Sequence, residues 1–425
     1  MSTDASTHIT ITFSRGWIVT VAGAGMGLVF GILYIWSVIK AGIPDQWGWS
    51  NADKALPYSV MCIVFSIVMV PAGMLQDRYG PRWLVILGGF LAGLGCIVSG
   101  LGGASKPAYV IGFGIMTGAG AGFGYSALTP TAIRWFPPHY TGRIAGIVVA
   151  GFGLAPVLLA PFAALLLHLY GVISGPSNMA AGVSFTMVSI GVVVWLVVGT
   201  LCWFVVTPPV KYVARAGPAS GSIIHGLELD WRKTLRTVQF WLLFYMYFAG
   251  ASAGLVFISV ASDMGKKTMG ELAFLAVVVL SLGNATGRIV AGVISDKIGR
   301  QWTLFAEFIS QSLVVGALFW LSKNGGGTWP IVLFVLFVIG LNYGANLTLF
   351  PAACKDYFGM EHFGLNYGWL YAAFGTAGLI MPWLNGFIRD ATGKPDLLYV
   401  LIIAILLAAA IAAMVSKRLG PPRIA

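Results

Sequence analysis

GMLQDRYGPR at residues 73–82 and GVISDKIGR at residues 292–300 are one short passage written twice. Gly73, Asp77, Arg78 and Gly80 match Gly292, Asp296, Lys297 and Gly299, each pair at an offset of 219 residues. A second echo, AGFG at 150–153 and AAFG at 372–375, lies at an offset of 222. Near-constant spacing over two separate passages is the mark of a duplicated chain, whose two halves share a fold. Apolar runs flank both copies, and about 20 such residues suffice to cross a bilayer as a helix.

Working outward from the first copy gives apolar runs at 17–39, 55–75, 83–103, 107–129, 144–169 and 180–206. The second copy sits in a matching set at 238–262, 271–294, 303–322, 329–352, 364–388 and 397–416. The expectation is an all-α membrane protein with 12 transmembrane helices in two pseudo-symmetric six-helix bundles, 1–206 and 237–425. Between them, 207–236 holds Lys211, Arg215, Arg232, Lys233 and Arg236 against Glu228 and Asp230, so it reads as a solvated basic linker with room for a short surface helix.

Composition agrees. Of the 425 residues, 58% are hydrophobic and 9% charged, with a mean hydropathy of +0.86, which leaves too little polar surface for a soluble protein. The net charge of +11 would suggest nucleic acid in a soluble chain, but here the basic residues lie in short loops and set topology. With both termini on one side, that side holds 16 Lys and Arg and the other 8. The richer side should be cytoplasmic, which makes this a multi-pass protein of the inner membrane with both termini inside. Cys62, Cys96, Cys202 and Cys354 have no CxxC or His spacing, so neither a disulfide framework nor a metal is expected. GAGAGFGYS at 118–126 lies inside an apolar run, where close helix packing explains it better than a dinucleotide loop. The sequence has no Walker motif to drive it with ATP and no nucleophile, base or metal cluster to make it an enzyme, so no cofactor is expected. The short tails argue against a membrane-bound sensor.

One basic residue falls on neither side: Arg288, inside the eighth run. An arginine there costs about 2.5 to 3.5 kcal/mol on insertion, so it is retained either to face a cavity or because it snorkels to the headgroups. Asn284 and Ser281 share its helical face, forming a polar stripe. A guanidinium fork facing a cavity matches a carboxylate with two parallel hydrogen bonds, which points to a small organic anion. In the repeated passage, Asp77 and Asp296 can pair with Arg78, Lys297 or Arg300 at neighbouring helix ends as a gate latch, or the basic loops act as an insertion signal alone. Prolines 130, 156, 161, 351 and 382 sit where helices of a rocking carrier would bend.

The doubled passage resembles the signature loop of the major facilitator superfamily, and the resemblance covers the whole chain. Within it, RWFP at 134–137, SDKIGR at 295–300, LFP at 349–351 and NYG at 366–368 are most similar to the oxalate/formate antiporters and the monocarboxylate transporters. The resemblance implies that Arg288 anchors substrate and that Tyr34, Tyr125, Phe152, Tyr343 and Tyr371 occupy aromatic positions that line the antiporter site. It also exposes departures. The monocarboxylate transporters' proton-coupled aspartate is replaced by Asn284, their first-span lysine by Leu33, and the antiporters' second cation by Phe374. One cation favours a monoanion over oxalate.

The implied activity is movement of a small monocarboxylate, such as L-lactate or a pyruvate-like acid, across the bilayer together with a proton. The carrier is expected to work as a monomer, and electroneutral exchange of two anions is the alternative. For the proton, Glu307 near the cytoplasmic end of the ninth run and His168 at the outer end of the fifth are the intramembrane candidates, and neither position looks close to the substrate.

Overall fold

Hydrocarbon offers no hydrogen bonds, so apolar runs of this length satisfy their backbones internally as helices. The computed structural model describes residues 3–136, 141–174, 179–208, 229–323, 328–359 and 362–422, leaving aside the side chains of 3–14, 73–74, 77, 141–143, 171–174, 179–180 and 267. The chain begins with α1 (Thr3–Phe30), which continues through a 3-10 turn (Gly31–Ile35) into α2 (Trp36–Ala41). Next come α3 (Asn51–Tyr79) and α4 (Pro81–Leu101). The fourth run is α5 (Lys106–Tyr109), a π segment (Val110–Thr117) and α6 (Gly118–Ile133). The fifth is α7 (Thr141–Gly153) and α8 (Ala155–Ser174), broken at Leu154, and the sixth is α9 (Met179–Leu201). A single turn, α10 (Trp231–Thr234), ends the linker, whose residues 209–228 lie outside the description. The second half is α11 (Val238–Met269), α12 (Phe274–Ile298), α13 (Arg300–Lys323), α14 (Trp329–Phe358), α15 (Phe363–Thr392) and α16 (Asp396–Leu419).

Among the described residues, ten stretches are long and apolar enough to cross a membrane. The fourth and eleventh expected spans fall outside that set. The π segment divides the fourth, where Gly112 lets the chain press on α4 so closely that a Cβ would stand 2.5 Å from the Gly95 carbonyl oxygen. α15 has the length, 30 residues, but spreads Asn366, Asn385 and several glycines through its apolar sequence.

The duplication survives in the backbone. Gly80 ends α3 with φ 81° and ψ 160°, and Gly299 ends α12 with φ 91° and ψ 155°. No L-residue rests easily there, so the conformation itself requires glycine at both positions of the repeated passage. Helix α3 packs on α15, while α12 packs on α7 and α8. The offset carries α3 onto α12 and α8 onto α15, so these two contacts between halves are images of one another.

Within the second half, α12 and α14 are in backbone contact. Cβ atoms on Gly283, Gly287, Gly340 and Gly344 would lie 2.1, 1.9, 2.0 and 2.0 Å from the carbonyl oxygens of Phe337, Leu341, Leu280 and Asn284. Four glycines therefore form one groove along the helix that carries Arg288, and small residues at such a seam are how helices associate in lipid.

Candidate functional site

Arg288 is 9% exposed and, among the described residues, the one buried cation. Its Nε donates to Asn284 Oδ1 at 3.1 Å, one turn back on α12. Its Nη1 crosses to the other half and donates to the Val149 carbonyl at 3.0 Å. Nη2 is buried without a partner. The crossing is possible because Gly153, at the break between α7 and α8, offers no side chain, and its Cβ would sit 3.4 Å from the guanidinium. The Ser281 hydroxyl donates to the Gly153 carbonyl at the same break. The polar stripe Ser281, Asn284 and Arg288 thus faces the interface between halves, and Arg288 turns to that interface rather than to the headgroups.

Around it the rings close a circuit. Tyr34 meets Phe152 at 5.5 Å between centroids, Phe152 meets Phe65 at 5.9 Å, and Phe65 meets Tyr371 at 6.1 Å. Tyr371 stacks on Phe374 at 4.9 Å, Phe374 meets Tyr343 at 6.3 Å, and Tyr343 returns to Tyr34 at 6.2 Å. The circuit passes between halves twice, and at one crossing the Tyr34 and Tyr343 hydroxyls share a hydrogen bond of 3.3 Å. Tyr125 packs on Phe152 at 4.6 Å and interacts with Arg288. All the aromatic positions singled out in the sequence come together here. Phe65 was missed, and its signal was available only in part: α3 is the repeat partner of α12, so its inward face was a place to look. A cavity beside Tyr34, Pro156, Ser281 and Asn284 has a volume of only about 10 Å³, the size of a single water, so the side chains leave little open space there.

The expected gate residues lie at one end of the bundle. At the end bearing the linker, Arg300 Nη1 donates to Asp296 Oδ1 at 2.7 Å and to the Ser295 hydroxyl, and its Nε reaches Asp356 Oδ2 at 3.3 Å. These contacts tie α12, α13 and α14 within one half. In the other copy Arg78 lies over the Tyr79 ring at 5.3 Å, and the Asp77 side chain falls outside the described residues. Lys297 is exposed.

The opposite end joins the halves, through residues the sequence had marked only as loop charges or not at all. Lys40 of α2 pairs with Asp263 of α11 at 2.7 Å and donates to the Ser259 carbonyl at 2.9 Å. Asp390 near the end of α15 accepts from the backbone nitrogens of Asn51 and Ala52, each at 2.9 Å, and from the Asn51 amide at 2.8 Å. It thereby caps the start of α3 from the other half. Beside these contacts a cleft of about 700 Å³ is lined by Asn51, Asp263, Lys323, Arg389 and Asp396.

Known proteins share this architecture. The signature of the Major Facilitator Superfamily matches residues 19–358 and again 275–424. The oxalate:formate antiporter of Oxalobacter formigenes is 25% identical over 93% of this chain and 90% of its own. Monocarboxylate transporter 11 of Homo sapiens is 25% identical over 89% and 78%, and apicoplast pyruvate carrier 1 of Toxoplasma gondii 24% over 81% and 71%. Among solved structures, an inward-facing, unoccupied bacterial homologue of the human lysosomal transporter Spinster superposes with a TM-score of 0.73 at 16% identity, covering 95% of this chain and 97% of that one. With its duplicated halves, its paired glycine turns and that match over most of its length, the chain belongs to the major facilitator superfamily, whose members are transporters and not enzymes.

Proposed function

We propose that the protein carries a small monocarboxylate such as L-lactate together with a proton across the inner membrane by alternating access, acting as a monomer with its linker and termini in the cytoplasm. The observation that supports this best is the unpartnered Nη2 of Arg288, the one buried cation among the described residues, at the interface between the halves. A carboxylate beside Arg288 takes a charge-assisted hydrogen bond from Nη2, strengthened by the low dielectric. Asn284 Oδ1 is engaged by Arg288 Nε, which leaves its amide nitrogen as the end that can donate to Tyr34 or to a second oxygen of the acid. Tyr125, Tyr34 and Tyr343 offer phenols, while Phe152, Tyr371 and Phe374 enclose the short carbon chain. A dianion would leave one charge unmatched, since Phe374 stands where the antiporters resembled here hold a second cation.

For access, the Lys40–Asp263 pair and the Asp390 cap act as the outer gate. Asp77, Arg78, Asp296, Lys297 and Arg300 act at the cytoplasmic side, where Arg300 braces three helices of one half so that they move as a body. The likeness to the oxalate:formate antiporter favours a second reading, exchange of two anions.

Reconstituted protein separates the two. Labelled L-lactate should enter empty vesicles under an inward proton gradient and fail to do so with Arg288→Gln. Uptake confined to vesicles preloaded with unlabelled acid would establish exchange instead, and undiminished uptake by the variant would remove Arg288 from the site.

A further inference from the structure

Sequence position alone sets Glu307 aside, but its surroundings bring it back. The residue is 5% exposed, on α13. Its Oε1 accepts from Asn346 Nδ2 of α14 at 2.6 Å, and its Oε2 is buried with no partner. Two further atoms nearby, Asn346 Oδ1 and Gln311 Nε2, are also buried and unpartnered, although Asn342 Nδ2 donates to Gln311 Oε1 at 2.8 Å. Of the charged groups on the helices packed against α13, Lys297, Lys355 and Arg418 are exposed, and others are engaged elsewhere. Arg288 of α12 turns to Asn284 and Val149, Asp356 of α14 pairs with Arg300, and Lys417 of α16 lies over the Trp302 ring. A lone carboxylate in such a place, with one amide donor and no cation in ion-pair reach among the described residues, is expensive to keep ionised, so it is built to hold a proton.

The same helix connects it to the substrate site. Asn342 and Asn346 occupy one face of α14, and Gly340 and Gly344, in backbone contact with α12 at Leu280 and Asn284, occupy the opposite face. Tyr343 of the aromatic circuit lies one turn from Asn346, and both are seated in notches of α11. A Cβ on Gly254 would lie 2.2 Å from the Tyr343 ring, and one on Gly250 would lie 2.3 Å from Asn346 Oδ1. A change at Glu307 therefore reaches Arg288 and Tyr343 through one rigid helix.

We infer that Glu307 is the proton-carrying residue of this carrier, coupled through Asn346 and α14 to the anion at Arg288; the inference rests on the symport reading above. Outside, Glu307 takes a proton from water, forming an O–H bond, as the substrate carboxylate settles on Arg288. Inside, the anion leaves, the O–H bond breaks and the proton passes to water. The carboxylate that remains supplies the negative charge of the empty return and acts on Arg288 at a distance, through Asn346 and α14, rather than by an ion pair. One negative charge accompanies the guanidinium on each leg, and the cycle moves one anion with one proton.

The test compares wild type with Glu307→Gln in proteoliposomes, using labelled L-lactate. The amide mimics the protonated carboxyl, so exchange against preloaded lactate should persist while gradient-driven uptake into empty vesicles is lost. The infrared carbonyl band of a protonated carboxylic acid should be present in wild type, change on adding lactate, and be absent from the variant. In Asn346→Ala, which removes the donor that favours the carboxylate, the pH of half-maximal uptake should move upward. Gradient-driven uptake by Glu307→Gln, loss of its exchange as well, or absence of the band from wild type would each overturn the assignment to Glu307. A wild type that only exchanges would overturn the symport reading and the coupling with it, a result distinct from failure of the variant alone.

Discussion

Substituting Gly344 by alanine places a methyl group 2.0 Å from the Asn284 carbonyl oxygen, where ordinary contact begins at 3.4 Å. The obstacle is backbone, not a side chain that can swing aside, so α14 and α12 must part by about 1.4 Å. That carbonyl lies one turn from the peptide of Arg288, and the strain falls on the site itself. Overpacking of this kind destabilises by about 1 to 3 kcal/mol, and a displacement of about 1 Å in a substrate-positioning group lowers rates on the order of a hundredfold. Gly292→Ala supplies the control on the same helix, since its Cβ would meet only the Thr348 methyl at 3.5 Å. Thermal unfolding in detergent and initial rates of lactate uptake in proteoliposomes measure the two effects. Gly344→Ala should unfold earlier and transport far more slowly, while Gly292→Ala should match wild type. Wild-type behaviour of Gly344→Ala, or equal damage from both variants, would refute the argument that the backbone groove positions Arg288.

Three further outcomes are expected. Arg288→Lys keeps the charge but loses the fork that reaches Asn284 and Val149, so the KM for lactate should rise about 10- to 100-fold, and an unchanged KM would argue against a shaped anion contact. Asp390→Asn removes the charge that caps α3, worth about 1 kcal/mol at a helix start, so a cysteine introduced in the outer cleft should be alkylated several-fold faster; the same rate as wild type would exclude Asp390 as a latch. Phe65→Ala opens the aromatic circuit, and it should lower stability by about 3 to 5 kcal/mol and let branched monocarboxylates compete better than they do with wild type, both readable by thermal unfolding and competition for lactate uptake.

Much of this architecture was legible in the sequence, because bilayer thickness fixes the length of an apolar run and a duplication writes the same passage twice. Arg288 was legible because a charge inside such a run needs a reason. The contacts that join the halves at the end opposite the linker were not: Lys40 and Asp263 lie 223 positions apart, Asn51 and Asp390 339, and nothing local announces either pair. Phe65 hid among 26 phenylalanines, most of which serve packing alone. The π segment in the fourth span was equally hidden, since nothing in its sequence sets Gly112 apart until the Gly95 contact is seen. Glu307 was visible as a residue but not as a site, because the donors and gaps around it belong to α14, whose register only the packed structure supplies.

The Asp390 cap bears on how fast such a carrier can turn over. A helix start that loses its carboxylate on opening is met at once by water, which hydrogen-bonds the freed Asn51 and Ala52 nitrogens nearly as well. The closed and open forms therefore differ little in free energy at this seam, and neither becomes a trap. A seam of interlocked apolar side chains would have to expose its whole area with no such replacement, and the outward excursion would become rare. By fastening its halves with groups that water can also satisfy, the protein leaves neither form strongly favoured at this seam, so under the alternating-access reading the gradients and not the latch decide which way the cycle runs.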